Sequence, residues 1–390
     1  MTTDTIASIE LFPLRIPRDT PYLGPLEEGN RPNDRGYVIR PGNRTIYSIH
    51  DQTLLVKVTT AGGLVGWGEC FGVIAPQVVQ AILVELCIPF VIGRSPHDVE
   101  RIYEDLYDSQ RVRGYFGGYA VDAIAGLDMA LWDLRGKLLG QPVWQLLGGR
   151  RHARIPVYVS GLPGKTVADR AALARQWLDR GFSAFKFAGA VADAGEVAEM
   201  QAVRAAVGPG PKILVDLHWR YTALEAIRLI DQLCVHGLYV AEAPVAPEDM
   251  EGQSQVAASV KTLVAIGEEL RTVYEYRPRF VQRCMNVIQP EIAHTGVTGM
   301  RRICDLAQVF HCLVMPHATI NVGIAQAASL HVAATLDNLA LQEYQHSIFD
   351  RNLAFLHTDM ACAAGYFTLP TGPGLGVEPR EELLEFVIEK

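Results

Sequence analysis

The segment that decides the fold lies between residues 212 and 268, where three short apolar runs each lead to a carboxylate. They read KILVD (212–216), LYVAE (238–242) and LVAIGE (263–268). Successive carboxylates, Asp216, Glu242 and Glu268, are 26 residues apart, and helical sequence fills each gap. This is the spacing of one strand plus one helix. The segment therefore predicts consecutive βαβ units in a parallel sheet.

The same pattern continues in both directions along the chain. Each of eight apolar runs ends in a polar residue, and the gaps between these residues are 23 to 30 positions. Eight repeats over roughly 200 residues predict an α/β protein with a (β/α)8 barrel rather than an open sheet. The eight residues that end the runs are Ser160, Lys186, Asp216, Glu242, Glu268, Glu291, His317 and Glu343.

Strand alternation predicts which of these side chains point into the barrel. Residues two apart on a strand share a face, so Leu214, Asp216 and His218 are expected to point inward. The same rule assigns Ile266 and Glu268 to the inner face. Barrel enzymes keep their active sites at the carboxyl ends of the strands. The polar strand ends therefore predict a site at the barrel mouth.

Three carboxylates on consecutive strands predict a metal site. Asp216, Glu242 and Glu268 would repel one another strongly in a partly dry pocket unless a cation neutralised them. Oxygen ligands on rigid strands favour a hard divalent ion such as Mg²⁺, whereas zinc would prefer Cys or His. The alternative, three unrelated carboxylates each paired with a basic residue, does not account for their equal spacing.

The other strand ends carry candidate catalytic residues. Lys186 and His317 are predicted on opposite flanks of the carboxylates, where both could transfer protons. Glu291, on the neighbouring strand, could orient the imidazole of His317. His218 is predicted to face the bound ligand. Glu343 could bind a substrate hydroxyl or another residue of the site.

The N-terminal part has a different texture. Residues 8–17 are predicted as a strand and 53–71 as a β-hairpin that turns at Ala61-Gly62-Gly63. Apolar residues three and four apart predict a helix over 117–139 with one buried stripe. Strands followed by helices indicate an α+β domain that extends to about residue 125.

A glycine- and proline-rich stretch from Pro21 to Tyr47 is predicted to be a long loop. Loops of this length in compact proteins are often lids or binding loops. We expect it to face the substrate, with Tyr22 and Arg44 as binding residues. Trp219, directly after His218, is a third candidate. Such hydrogen-bonding and basic groups suit an anionic polyhydroxy compound.

Charge and hydropathy exclude several classes of partner. The chain has 35 basic and 43 acidic residues, and this net charge of −8 is the wrong sign for binding nucleic acid. No apolar run approaches the roughly 20 residues of a membrane span. The N-terminus lacks a basic region followed by an apolar stretch, so we expect a cytoplasmic protein.

Three further segments carry a family resemblance: GWGEC (66–70), ALWDLRGKLLGQPVWQLLGG (130–149) and PTGPGLGVE (370–378). Together with the strand-end residues, they make the chain resemble the mandelate racemase subgroup of the enolase superfamily over nearly its whole length. The resemblance implies a capping domain, formed by 1–125 with the tail 355–390, over a barrel of 126–354. It also implies that Mg²⁺ is bound by Asp216, Glu242 and Glu268, and that Glu291 and His317 form a catalytic dyad.

At two places the sequence departs from the pattern of this subgroup. The subgroup's Lys-x-Lys pattern is here Lys186-Phe187-Ala188, so the second base that a two-base racemase needs is missing. Asp216-Leu217-His218 instead resembles sugar-acid dehydratases typified by galactonate dehydratase. Glu291 stands where that family usually has Asp.

The resemblance implies a Mg²⁺-dependent sugar-acid dehydratase acting on an aldonate or aldarate. His317 would remove the C2 proton, His218 would protonate the departing C3 hydroxyl, and Lys186 would support the ene-diolate. The product would be a 2-keto-3-deoxy acid. A sugar-lactone cycloisomerase or epimerase could use the same enolate, and a non-catalytic sugar-acid binder is a third possibility. We also expect a homo-oligomer, since barrels of this kind commonly associate.

Overall fold

A computed structural model describes residues 4–388. In the N-terminal part, β1, β4 and β5 form an antiparallel sheet, and β2 and β3 form a separate hairpin. The strands are β1 (Ile6–Ile16), β2 (Tyr37–Ile39), β3 (Ile46–Ser48), β4 (Asp51–Thr60) and β5 (Val65–Cys70); the helices are α1 (Pro76–Ile82), α2 (Val99–Arg111), α3 (Gly118–Leu139) and α4 (Val143–Leu146).

The predicted first strand, the hairpin over 53–71 and the helix over 117–139 are confirmed. The prediction of a loop throughout 21–47 is wrong in part, because β2 pairs with β3 inside it. Each of these strands has only three residues, and so short a segment shows no alternation of polar and apolar residues by which it could be predicted.

Helix α3 buries more than the single predicted stripe. Asp122, Asp128 and Asp133 are buried along with its apolar residues. The helix lies directly on β5, where a Cβ added to Gly68 would come within 2.0 Å of the carbonyl oxygen of Gly126. Only glycine allows this approach.

The barrel is confirmed. Its parallel strands are β6 (Arg154–Ser160), β7 (Ala184–Ala188), β8 (Lys212–Asp216), β9 (Leu238–Glu242), β10 (Leu263–Ile266), β11 (Val287–Ile288), β12 (Leu313–Val314) and β13 (Gln342–Tyr344). The intervening helices are α5 (Val167–Asp179), α6 (Glu196–Val207), α7 (Ala223–Cys234), α8 (Met250–Ser259), α9 (Val273–Val281), α10 (Ile292–Val309), α11 (Ile324–Ala333) and α12 (His346–Asn352). The ring closes where β13 pairs with β6 and Val314 bridges to Leu339.

One layer of side chains fills the barrel interior, with a member from each strand or its immediate flank: Tyr158, Ala184, Leu214, Val240, Ala265, Val287, Met315 and Leu341. The inward assignment of Leu214 is therefore confirmed. That of Ile266 is wrong, because Ala265 faces inward and Ile266 packs in the outer core. Glu268 still reaches the mouth because Gly267, with φ 123°, interrupts the alternation.

The C-terminal tail contacts both parts of the molecule. Its strands are β14 (Leu356–His357), β15 (Ala361–Ala363), β16 (Tyr366–Thr368) and β17 (Glu378–Pro379), and β16 extends the barrel sheet antiparallel to β6. Further on, the amide of Leu375 donates to Asp133 of α3 (2.7 Å), and Val387 bridges to Leu14 of β1. The predicted domain boundaries stay predictions; the one at residue 125 lies inside α3.

Within residues 4–388, none of the helices combines the length and the apolar character needed to cross a bilayer. The predicted homo-oligomer and cytoplasmic location stay predictions.

Candidate active site

A cavity of about 320 Å³ lies at the carboxyl ends of the barrel strands, and residues of both parts of the molecule line it. Seven of the predicted site residues are in its wall: Tyr22, Lys186, Asp216, His218, Trp219, Glu268 and His317. The predicted residues Glu242, Glu291 and Glu343 lie behind this wall and contact its members. Only Arg44 is elsewhere, exposed on the surface.

Lys186 lies at the centre of a buried ion-pair cluster. Its Nζ is 2.7 Å from Glu242 Oε1 and 2.9 Å from Glu343 Oε1. Burial alone would lower the pKa of Lys186, but the two carboxylates raise it well above its usual range. Lys186 is therefore a fixed positive charge at the cavity wall.

His317 is held from both sides by carboxylates. Its Nδ1 is 2.8 Å from Glu291 Oε2, and Glu291 in turn accepts the amides of Ala293 and Thr319 at 2.9 Å each. Its Nε2 is 3.0 Å from Glu268 Oε2. Burial alone would lower the pKa of His317, but the surrounding carboxylates, Glu268 above all, raise it well above its usual range.

His218 lines the cavity from a turn after β8 and not from the strand itself. Strand β8 ends at Asp216, and both His218 (φ 50°) and Trp219 (φ 54°) adopt left-handed backbone conformations. The turn folds the imidazole back, so that Nε2 is 3.1 Å from Asp216 Oδ2. Burial lowers the pKa of His218, which favours its neutral form.

The three predicted metal ligands occupy adjacent strand ends but are turned toward other partners. Asp216 contacts His218, Glu268 contacts His317, and Glu242 accepts bonds from Lys186 and Gln289. Within residues 4–388, no three His, Cys, Asp or Glu side chains adopt a coordinating arrangement. Binding a dication would require Asp216 and Glu268 to release the histidines.

The charge of the cluster nevertheless fits a cation. Burial raises the pKa of Asp216 to about 7 and that of Glu242 to about 8, against the opposing charge of Lys186. Burial would also raise the pKa of Glu268, but His317 lowers it to about 2. Five carboxylates surround the two cations Lys186 and His317: Asp216, Glu242, Glu268, Glu291 and Glu343. The donor set is all oxygen, as a hard dication requires.

The stretch from Pro21 to Tyr47, called the lid from here on, contributes aromatic side chains to the cavity wall. Tyr22 accepts a hydrogen bond from Gln345 (2.9 Å), and its ring centroid is 6.0 Å from that of Tyr47. Arg44, a predicted substrate-binding residue, lies outside the cavity because it occupies the exposed turn between β2 and β3. The buried arginine of the lid is Arg40, which donates to the carbonyl of Tyr22 at 2.8 Å.

Sequence reasoning missed several residues of the site. Gln289, which donates to Glu242 Oε2 (2.7 Å), lies two positions before Glu291 and could have been found by alternation. Others follow strand ends, where no period applies, and they are Glu269, Arg271, His294 and Gln345. Three buried polar atoms of the cavity wall have no hydrogen-bond partner within the described protein, namely Trp219 Nε1, Glu269 Oε1 and Gln345 Oε1.

Comparison with known families agrees with this geometry. Residues 169–383 match the "Enolase C-terminal domain-like" family, and residues 33–148 match the N-terminal domain of mandelate racemase and muconate lactonizing enzyme. The chain belongs to the enolase superfamily. The resemblance found in the sequence is thus confirmed, including its mandelate racemase subgroup. Members of this superfamily bind a divalent metal, typically Mg²⁺.

Three similar proteins illustrate the range of activities in this superfamily. D-galactonate dehydratase of Ralstonia nicotianae is 32% identical over 356 residues, which cover 87% of this chain and 92% of the relative. D-galactarolactone cycloisomerase of Agrobacterium fabrum is 31% identical over 346 residues, with 85% and 90% covered. A crystal structure from Sinorhizobium meliloti, described as a candidate isomerase, is 50% identical, covers 99% of this chain and 100% of its own, and has a TM-score of 0.98.

Proposed function

We propose that this enolase-superfamily enzyme dehydrates a sugar acid to a 2-keto-3-deoxy acid. The observation that carries the proposal is the pair of histidines, His317 and His218, which line one cavity from different strands. A dehydration needs a base at C2 and an acid at the C3 hydroxyl. The Asp216-Leu217-His218 segment and the similarity to D-galactonate dehydratase support this reaction.

The substrate carboxylate would bind next to Lys186, whose positive charge is permanent. Asp216, Glu242 and Glu268 would hold Mg²⁺, which supplies Lewis-acid charge to the carboxylate and so acidifies the C2 proton. The unpartnered polar atoms of Trp219 and Gln345 suit a polyhydroxy chain, because a ligand hydroxyl can both donate and accept.

The proton transfers then follow from the positions of the histidines. His317 Nε2 removes the C2 proton, and the electrons of the C–H bond form the enolate. His218 donates a proton to the C3 hydroxyl, which leaves as water, and the resulting enol tautomerises to the keto acid. Glu291 holds the ring of His317 in place through Nδ1.

The pKa values of the two histidines are shifted in the directions opposite to those that these steps need. His317 has a raised pKa and His218 a lowered one. Glu268 is the main cause of the raised pKa of His317. Its carboxylate is also one of the three that would turn toward a dication. The assignment of His317 as the base therefore requires Glu268 to leave Nε2.

A screen of aldonic and aldaric acids and their lactones with Mg²⁺ in D₂O, followed by NMR, tests the proposal. We expect loss of water and formation of a 2-keto-3-deoxy acid from at least one compound. Binding without deuterium incorporation or turnover across the whole screen would contradict it and would favour a sugar-acid binder.

The second candidate is a sugar-lactone cycloisomerase. It is favoured by the 31% identity to D-galactarolactone cycloisomerase over 85% of the chain. This reaction would begin with the same proton removal by His317, but the leaving group would be the ring oxygen. The same screen separates the candidates, because a lactone would open without loss of water. An epimerase would instead return the inverted C2 isomer.

A further inference from the structure

A second cluster of charged side chains lies in the cavity wall, apart from the proposed catalytic residues. Asp122, a buried residue of α3, is 2.8 Å from Arg271 Nε and 2.7 Å from His294 Nδ1. Arg271 follows β10, and His294 lies in the first turn of α10. Both basic residues line the cavity, and Asp122 joins them from the N-terminal part of the molecule.

Both basic groups are fixed in position. The His294 ring stacks on Phe71, with centroids 4.0 Å apart, and its Nδ1 is engaged by Asp122. Arg271 donates from Nε and one terminal nitrogen to Asp122, and from the other to the carbonyl of Glu269. His294 Nε2 and the remaining guanidinium hydrogens have no hydrogen-bond partner in the side-chain contacts of the described residues. Groups held in this way are preorganised for a ligand.

The cluster lies across the barrel mouth from Lys186. In the ring of eight strands, three strands separate β7 from β11 in either direction. Lys186 is on β7, and His294 follows β11 by a few residues. The cavity therefore has basic groups on two opposite sides, and a ligand that spans it meets both.

The hydrogen-bond donors of the cluster favour an anion. One carboxylate, that of Asp122, is shared by two basic side chains, and Arg271 keeps guanidinium hydrogens that it does not use. Glu269 also lines the cavity, where its Oε2 accepts the amide of Gly267 and burial raises its pKa to about 7, which favours the uncharged acid. A guanidinium with unused donors beside a histidine ring is well suited to bind a carboxylate.

We propose that Arg271 and His294 bind the second carboxylate of a sugar diacid, so that the substrate is an aldarate or its monolactone and not an aldonate. The proposal rests on the proposed function for its first half, the binding of the reacting carboxylate beside Lys186. Asp122 acts as a positioning residue for both basic groups.

The test compares acids that differ only at C6. Galactarate and galactonate form one such pair, and glucarate and gluconate another. Binding constants are measured by calorimetry with Mg²⁺ present, and kcat and KM are measured wherever turnover occurs. For the wild-type protein we expect the diacid of at least one pair to bind about 10- to 100-fold more tightly, which is the effect of a hydrogen bond to a charged group.

Arg271→Gln and His294→Gln are the diagnostic variants. Each should remove most of the diacid preference by raising the Kd and KM for the diacid, while the values for the monoacid change by less than about threefold. Arg301→Gln is the matched control, because Arg301 is an ion-paired arginine on α10, bound to Asp305 and outside the cavity. It should keep the preference of the wild type.

Several outcomes would overturn the proposal. Equal binding of the two acids, failure of both acids to bind, or a preference that survives in both diagnostic variants would each do so. An equal loss for both acids in Arg271→Gln and His294→Gln would show that the cluster only joins the two parts of the molecule. If the diacid binds preferentially but no acid exchanges its C2 proton, the binding inference stands and the proposed function fails.

Discussion

The barrel mouth and the lid meet at the same cavity but are built differently. At the mouth, eight parallel strands fix the side chains, and Lys186, Glu242 and Glu291 have buried partners at 2.7 to 2.9 Å. In the lid, Tyr22 and Tyr47 are held by loops and by a hairpin with three-residue strands. The mouth is thus a preorganised charged site, and the lid contributes aromatic side chains to its cover.

This difference predicts where substitutions act. Changes at the mouth should alter the chemical step, because they move charge or protons at the reacting atoms. Changes in the lid should alter binding more weakly. The same contrast applies to the buried contacts that hold the two parts of the molecule together, where changes should alter stability rather than catalysis.

The largest effect is expected at the two histidines of the mouth. His317→Asn should abolish exchange of the C2 proton with D₂O, a loss of at least about 10²- to 10⁴-fold, because the base is removed. His218→Asn should keep the exchange and lose the elimination of water. NMR of the recovered substrate and the product measures both. Loss of both activities in His218→Asn, or exchange that persists in His317→Asn, would contradict this division of roles.

The next largest effect concerns stability. His331 of α11 is fully buried, accepts the amide of Trp144 through Nδ1 and contacts the carbonyl of Leu375 in the tail through Nε2. Burial lowers its pKa from 6.5 to about 4. Between these values the unfolded chain binds a proton that the folded chain does not, so stability falls as the pH falls. The free energy of unfolding changes by about 3 kcal/mol between these two pH values.

Urea unfolding at pH 7 and at pH 4 measures this dependence. In His331→Gln the free energy of unfolding should fall less steeply between pH 6.5 and pH 4, because the contribution of this residue is gone. This holds even if the variant is less stable at every pH. An unchanged slope would show that His331 is not the group responsible.

A smaller effect is expected at Glu291, which acts through His317. Glu291→Gln should lower kcat about 10- to 100-fold with little change in KM, because the ring loses its charged partner but keeps a hydrogen-bond acceptor. Glu291→Asp should recover most of the activity if the ring can shift slightly. Steady-state kinetics measures kcat and KM of both variants. An equal loss of kcat in both would point to a structural role of Glu291 at the start of α10.

The smallest effects are expected in the lid. Tyr22→Phe removes the acceptor of the Gln345 hydrogen bond and should raise KM by about fivefold or less. Arg44→Gln should change KM by less than about twofold, since the side chain is exposed and outside the cavity. A larger effect of Arg44→Gln than of Tyr22→Phe would mean that the lid moves over the substrate.

More of the mouth than of the lid could be predicted from the sequence, and the reason is physical. The strand-and-helix spacing repeats, so the positions of Asp216, Glu242 and His317 follow from counting. No repeat applies after a strand ends. The left-handed turn at His218 and the ion pairs that occupy the three carboxylates depend on local backbone geometry and on side-chain orientation, which periodicity does not encode.

The same limit explains the errors. Arg44 was assigned to the substrate by composition alone, whereas the turn between β2 and β3 exposes it. Ile266 was placed inward by strict alternation, which Gly267 interrupts. Asp122 could not be connected with His294, because 172 positions separate them in the chain and only the packing of α3 on the barrel joins them.

The central claim is that three strand-end carboxylates share one dication. Titration of the metal-free protein with Mg²⁺, followed by calorimetry, tests it most directly. We expect one Mg²⁺ per chain for the wild type and loss of that binding in each of Asp216→Asn, Glu242→Gln and Glu268→Gln. Absence of stoichiometric binding by the folded wild type, or binding that is unaffected in the three variants, would contradict the claim.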